Sequence, residues 1–410
     1  MTAELSFEML RSAVAGTAAA FRCITEYEPV GGPGDKVFPP TYEGGKYAVE
    51  TRIIDGEPVQ CVLLDSVQSQ ANRMELALLE ARRAKRVDLP LVCVNFDQEG
   101  LQKRFTISSL EAPHRLADAI FRDSMLDGVT FRKSEKGRIL DNSDVRNATG
   151  LFGLCPTALI FGIWDSTGPR GGLGTKIQRA LVSEIFGCRS HLGVKTSSRI
   201  DPAQISSRVT IYECKNEVRY TTDRDLAEKD KKGNPTLFGG RSGQGKAGSP
   251  SKANHCNIRP TIADGGVTIT EAIQTTVLSL AALRRLRFPL NGAPDSDLTV
   301  DRTAQTALAA LALYAATLAR EEGADLRSRC QLFPVRAFSW ELLAIPGQSH
   351  KEYSLDSAGA ERIFIEALSE AKKVGLPWEG TINLVPSAEL LSLVSKSQEL
   401  IMEQVSEEVE

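Results

Sequence analysis

The chain has 410 residues, 42% of them apolar and 25% charged, which is the balance of a folded globular protein. That balance excludes wholesale disorder, a collagen-like repeat and a coiled-coil rod. Forty-nine Lys and Arg against 52 Asp and Glu leave a net charge of −3, which as a total points to no nucleic-acid partner.

In chain order, residues 1–45 read as an N-terminal extension, a helix followed by the Pro/Gly loop Pro29–Gly34. Val59–Leu64 is a buried-strand run. From Gln68 to about Arg86 the residues Ala71, Met74, Leu78 and Ala81 share one face of a helix. Leu89–Phe96 reads as a strand, and Pro113 suits the first turn of a short helix. Pro156–Trp164 reads as a strand running into the glycine-rich turn Asp165–Gly174, with a helix from near Thr175 to about Phe186. Val209–Cys214 and Glu217–Thr221 read as a hairpin. The polar stretch Asp223–Ala253 is long enough to be either functional or disordered. Gly266–Ile269 is strand-like, and Glu271–Phe288 reads as a helix ended by Pro289. Helices follow at about Arg302–Arg320, Ser357–Val374 and Ser387–Val405, with a strand at Ala337–Ile345.

The charge is unevenly spread. Asp165 to Pro260 holds 17 Lys and Arg against 9 Asp and Glu, whereas the chain from Lys351 holds 5 against 12. A basic middle with glycine-rich loops suits a phosphate polymer, because each neutralised phosphate releases counterions. An ordinary solvated surface loop reads the same way. Eight cysteines occur with no Cys-x-x-Cys, so neither a zinc ribbon nor a disulfide framework is expected. Glu4 and Glu8 stand where a secretory signal needs positive charge. The most apolar stretch, Ala304–Leu318, is too short to span a bilayer. The expectation is a soluble, cytoplasmic protein with no membrane partner.

Seven groups of residues are weighed as candidates for chemistry. Ser166, Thr167, Gly168, Arg170, Gly171 and Gly172 form a turn whose N–H groups can approach an anion, with Lys176 and Arg179 on one face of the helix expected next. A tight connection without a ligand is the alternative. This turn is no P-loop. Gly240–Lys246 does fit Gly-x-x-x-x-Gly-Lys, but Ala247 replaces the hydroxyl that would hold magnesium. Gln68, Ser69, Asn72 and Arg73 begin a helix as short polar donors plus one cation, either a sugar–phosphate grip or a capping cluster. Ser198 and Arg199 offer a hydroxyl–guanidinium pair, unless Arg199 serves Asp201. His114 and His255 lack a second histidine nearby and read as structural rather than catalytic. Asp65 and Asp165 follow strand ends, where turn capping competes with an acid–base role. Arg284, Arg285 and Arg287 close a predicted helix, where cations complement the dipole and RNA contact stays open.

Five strings occur in order. They are Asp65–Arg73, Ala112–Ala119, Phe161–Gly168, Ser197–Pro202 and Leu280–Pro289. Together they resemble the backbone subunit of type I-U (I-G) CRISPR effector complexes, a branch of the RAMP superfamily. The resemblance implies an α+β fold: an RRM-like (ferredoxin-like) palm at 46–345 with large insertions forming fingers and a thumb, mapped to 208–260, and a helical C-terminal segment at 346–410. It implies a CRISPR RNA-binding subunit that oligomerises head to tail along the guide, beside other effector subunits, and presents guide bases for pairing with target DNA in antiviral defence. No catalytic residue, metal or cofactor is expected. Lys246, Asn254 and His255 complete the expected RNA-binding set. The alternative is a RAMP endoribonuclease cutting target RNA with Asp65 or Asp165. One departure from the family's pattern is Cys256, where glycine is expected; it puts a positive-φ turn in doubt.

Overall fold

Strict alternation runs through Ala20–Pro29 (β1): Phe21, Cys23, Thr25 and Tyr27 are buried while Arg22, Ile24, Glu26 and Glu28 are half-buried or exposed. The computed structural model describes residues 3–166, 174–214, 219–240 and 246–409. Two units are present. The first comprises Met1–Glu99, Arg104–His191 and Val267–Leu391; the second comprises Gly100–Lys103, Leu192–Gly266 and Ser392–Glu410.

In the first unit β1 lies near the middle of a large sheet. Its other main members are Val49–Ile54 (β2), Glu57–Asp65 (β3), Leu181–Cys188 (β4), Ala272–Ser279 (β5), Cys330–Pro334 (β6) and Trp340–Leu343 (β7). The order across the sheet is β7-β1-β5-β4-β3-β2, and β6 also pairs with β1. Helix Val67–Arg83 (α1) precedes β4, and helix Leu298–Glu321 (α2) precedes β6. Taking β1, α1, β4, β5, α2 and β6 alone gives a β-α-β-β-α-β chain with spatial order β6-β1-β5-β4, all neighbours antiparallel. That is the ferredoxin-like arrangement, and the fold is α+β. The β2–β3 hairpin is added at the β4 edge.

Helix α2 is buried on nearly every side from Ala304 to Leu318 because it is sandwiched between the sheet and helix Ser357–Lys373 (α3). Asp297 caps it, accepting from Thr299 N–H at 2.7 Å and Val300 N–H at 3.2 Å. Among the described residues no helix is long and apolar enough to cross a membrane. A polar chain threads from α1 into the sheet. Ser183 Oγ donates to Gln70 Oε1 at 2.9 Å, Gln274 Nε2 donates to the same oxygen at 2.7 Å, and Tyr27 Oη donates to Gln274 Oε1 at 2.8 Å. Because buried polar groups demand partners, this chain fixes the register of α1 on β1, β4 and β5.

Farther along α1, Glu75 is 1% exposed and is gripped by Arg115, with Nε at 2.7 Å and Nη2 at 2.8 Å. Arg115 Nη1 also donates to the Gly162 carbonyl at 3.1 Å. A second sheet of the first unit pairs Thr381–Pro386 in parallel with Leu91–Phe96.

The second unit contains all but the end residues of the paired strands His191–Arg199 and Ile258–Thr268, which follow β4 and precede β5 in the chain. Between them lies largely irregular structure around Ile211, Phe238, Ala253 and Tyr220. Asp201 accepts from Ala203 N–H at 3.2 Å, Ile205 N–H at 3.3 Å and Cys256 N–H at 2.7 Å. Cys256 keeps φ at +65°, so the positive-φ turn survives without glycine; the Asp201 bond holds the backbone that a side chain disfavours.

Several sequence expectations are corrected. Pro156–Phe161 is a helix, not a strand, and only Ile163–Trp164 is extended. All six helical residues are buried, and a short fully buried run has no period to read. The helix expected from Thr175 to Phe186 is instead the strand Lys176–Ile177 followed by β4. Most of the helix expected over Glu271–Phe288 is β5, with helix only at Leu280–Leu283. β1, expected to fall within an N-terminal extension, is a central strand. Of the hairpin expected from Val209–Cys214 and Glu217–Thr221, the described residues show the bridge Tyr212–Thr221, and residues 215–218 lie outside them.

The Glu75 pair sets a pH dependence. Burial raises the carboxyl from 4.5 to about 7, against the opposing pull of Arg115. The folded chain therefore holds a proton that the unfolded chain has released. Stability from this group is complete below the unfolded value and declines as pH rises through about 7. In thermal melts Glu75→Gln is expected to remove that decline, so that its deficit relative to the parent protein shrinks from pH 5 to pH 8. Parallel curves for the two proteins would refute the assignment.

Candidate nucleic-acid interface

The residues that flank the glycine-rich segment in the chain form a two-stranded clip. Ile163–Trp164 pairs antiparallel with Lys176–Ile177, placing Trp164 directly opposite Lys176. Asp165 N–H donates to the Thr175 carbonyl at 2.9 Å. The Lys176 ammonium therefore lies 5.1 Å from the centre of the indole, although the two residues are separated by a whole loop in sequence.

This clip forms one wall of a cleft of about 670 Å³. Its floor is apolar, with Leu159, Phe161, Ile163, Ile177 and Leu286. Gly162 makes the close approach possible. At φ +83° a Cβ there would stand 3.1 Å from the Arg179 nitrogen and from the Ile177 oxygen. Polar groups line the cleft: His114, Arg115, Ser166, Lys176, Gln178, Arg179 and Arg285. Arg179 Nε donates to the Phe161 carbonyl at 3.2 Å, and Arg285 Nη1 donates to Gln178 Oε1 at 3.4 Å. Among the described residues no carboxylate lines the cleft. Trp164 is 52% exposed at its mouth.

The nearest candidate acid is engaged elsewhere. Asp165 is buried and accepts from Arg132 Nη2 at 2.8 Å. Asp65, fully buried at the end of β3, accepts from Ser69 Oγ at 2.8 Å, Gln70 Nε2 at 2.6 Å, Arg73 Nε at 2.9 Å and Arg327 Nη2 at 3.3 Å. Among the described residues no three His, Cys, Asp or Glu side chains converge in a way that could hold a metal.

The structure thus sorts the residues singled out from sequence. Ser166, Lys176 and Arg179 converge on the cleft, joined by His114 and Arg285. Lys176 and Arg179 do so from a clip and the loop after it, not from a helix face. Thr167, Gly168, Arg170, Gly171 and Gly172 lie outside the described residues. Ser69 and Arg73 are turned inward onto Asp65, and Arg73 Nη2 also reaches the Leu326 carbonyl at 2.6 Å. Gln68 and Asn72 are both exposed on α1. In the second unit Ser198, Lys246 and Asn254 are exposed and Arg199 is half-buried. His255 is half-buried with its ring edge-on to Tyr220 at 5.8 Å. Sequence reasoning missed Trp164, Gln178 and the Glu75–Arg115 pair. The available signal was that Trp164 and Lys176 flank the glycine-rich segment symmetrically, as the two arms of a hairpin do.

Residues 21–191 match the model of a family described as CRISPR-associated protein GSU0053. That stretch runs from β1 through β4 and includes every cleft residue except Ala282, Arg285 and Leu286. The match supports a protein of a CRISPR system. No curated protein matches the chain.

The Asp65 geometry makes a prediction about stability. Asp65→Ala leaves Arg73 and Arg327 without their shared carboxylate and is expected to cost close to the lower end of about 3–5 kcal/mol, since both arginines remain partly open to water. Urea unfolding measures it. A loss below about 0.5 kcal/mol would show that the carboxylate is not the hub described.

Proposed function

We propose that the chain is a CRISPR RNA-binding backbone subunit of a type I effector complex. In this reading it grips the ribose-phosphate of the guide and leaves bases to pair with target DNA. The observation that carries it is the cleft: Lys176, Arg179 and Arg285 beside Arg115, which Glu75 already engages, with an exposed indole and no carboxylate in the lining among the described residues, mostly on a stretch that matches a CRISPR-associated family. Such a surface suits a protein that reads backbone and shape while base pairing reads sequence. The ferredoxin-like strand order is compatible with an RRM-like palm. The insertion between β4 and β5 is the natural candidate for the thumb, which in sequence we place within 208–260. The segment from Leu192 to Gly266 carries 13 Lys and Arg against 8 Asp and Glu, a surplus that favours phosphate contact.

Partners in this reading are the guide RNA, further copies of the chain along it, other effector subunits and, through pairing, target DNA. No cofactor is required. The endoribonuclease alternative needs a carboxylate free to act on RNA. Asp65 spends its oxygens on four donors and Asp165 is held by Arg132, which weighs against both.

The protein purified from a host carrying a CRISPR array is expected to bring nuclease-sensitive RNA with it, seen as a raised 260/280 nm ratio that falls after digestion. Lys176→Ala combined with Arg179→Ala is expected to weaken RNA retention. It should also flatten the slope of log affinity against log salt by about 1.4, roughly 0.7 for each single-strand phosphate that is no longer neutralised. Retention unchanged at both low and high salt would remove the cleft from the interface.

A further inference from the structure

We propose that the Trp164 cleft is a pocket for one nucleotide, with the base stacked on the indole and its phosphate held by Lys176, Arg179 and Arg285. This deepens the guide-binding reading and rests on it for the identity of the polymer. The argument is one of matching chemistry. An anion alone needs the cations but gains nothing from a floor of Leu159, Phe161, Ile163, Ile177 and Leu286. An apolar ligand needs the floor but gains nothing from Lys176, Arg179 and Arg285 in a lining without a carboxylate among the described residues. A nucleotide has a flat aromatic ring joined to a phosphate and uses both. The volume of about 670 Å³ lies within the range of small-molecule sites and leaves room for a single base with its sugar.

The position of the indole supports a stacking role. A tryptophan that served only the core would be covered, as Trp340 is, at 0% exposure; Trp164 is 52% exposed and borders the cleft. Its ring is held in place by the clip to Lys176, so little side-chain freedom is lost on binding. Because every base has a π-face, stacking here tolerates any sequence. Gln178 and His114, on the same rim, supply hydrogen-bonding groups without a paired-edge code.

Isothermal titration of the full chain, stripped of nucleic acid at high salt, tests this with two probes: adenosine 5′-monophosphate and ribose 5-phosphate, which lacks the base. The parent protein is expected to bind the nucleotide at least about tenfold more tightly than the sugar phosphate, the gain expected from one stacked base. Trp164→Ala should abolish that preference while still binding ribose 5-phosphate, and its melting temperature should match the parent's because the side chain is half exposed. Lys176→Ala with Arg179→Ala should weaken both ligands. Equal binding of the two probes by the parent protein, or a preference that survives Trp164→Ala, overturns the pocket. Retention of guide-length RNA, measured in parallel, separates the two readings. RNA held without a nucleotide preference sinks the pocket and spares the backbone role. A Trp164-dependent preference without RNA retention does the reverse.

Discussion

A carboxyl group with almost no exposure to water must find a cation or keep its proton, and Glu75 does both: it lies against Arg115 and holds its proton up to about pH 7. That one requirement links the palm helix to the cleft. Glu75 sits on α1, which is itself keyed to the sheet through Gln70, Ser183 and Gln274. Arg115 takes both oxygens of Glu75, donates onward to the Gly162 carbonyl and lies 5.4 Å from the centre of the Phe161 ring. Phe161 and Gly162 are the floor on which Arg179 rests and from which the Trp164–Lys176 clip departs. The rim of the cleft is therefore positioned by a buried carboxyl–guanidinium pair in the interior, and rigid support of this kind is what a binding group needs in order not to lose affinity to disorder.

The parts of this arrangement that are legible in the sequence are those with long periods. Helices α1, α2 and α3 stand close to where apolar periodicity puts them, because 17 residues or more leave little ambiguity. Short apolar runs mislead in both directions. Pro156–Phe161 resembles a strand because it is buried on all sides, and β5 resembles a helix because Ser279 hands it directly to Leu280–Leu283 with no turn residue between. Of the site, the cations Lys176 and Arg179 are visible as charge beside glycine. Their setting is not, because a helix after Thr175 would place them on one face, whereas the clip sets Lys176 against Trp164. Arg73 and Ser69 have the chemistry of phosphate ligands. Their partner is Asp65 of the same chain, a competition that spacing alone cannot rank.

Charge pairing distinguishes the two surfaces of the palm that could meet RNA. Gln70 reaches Ser183 and Gln274 on the face covered by α1, so Arg22, Glu26, Glu184 and Phe186 point to the opposite face of the sheet. On an RNA-binding sheet of the RRM type that face offers aromatic rings for stacking. Here Phe333 of β6, opposite Glu28, is 61% exposed, but the Phe186 ring lies under the Arg52 guanidinium at 3.9 Å, and three cations of this face are already matched: Arg22 with Glu341, Arg52 with Glu50 and Glu184, and Arg336 with Glu26. To bind a phosphate there, each pair would first have to be broken, and the released glutamates would repel the strand. In the cleft no such exchange is needed, because Lys176, Arg179 and Arg285 face a floor without acids among the described residues. The electrostatic cost of seating a polyanion is thus lower at the cleft than on the sheet face.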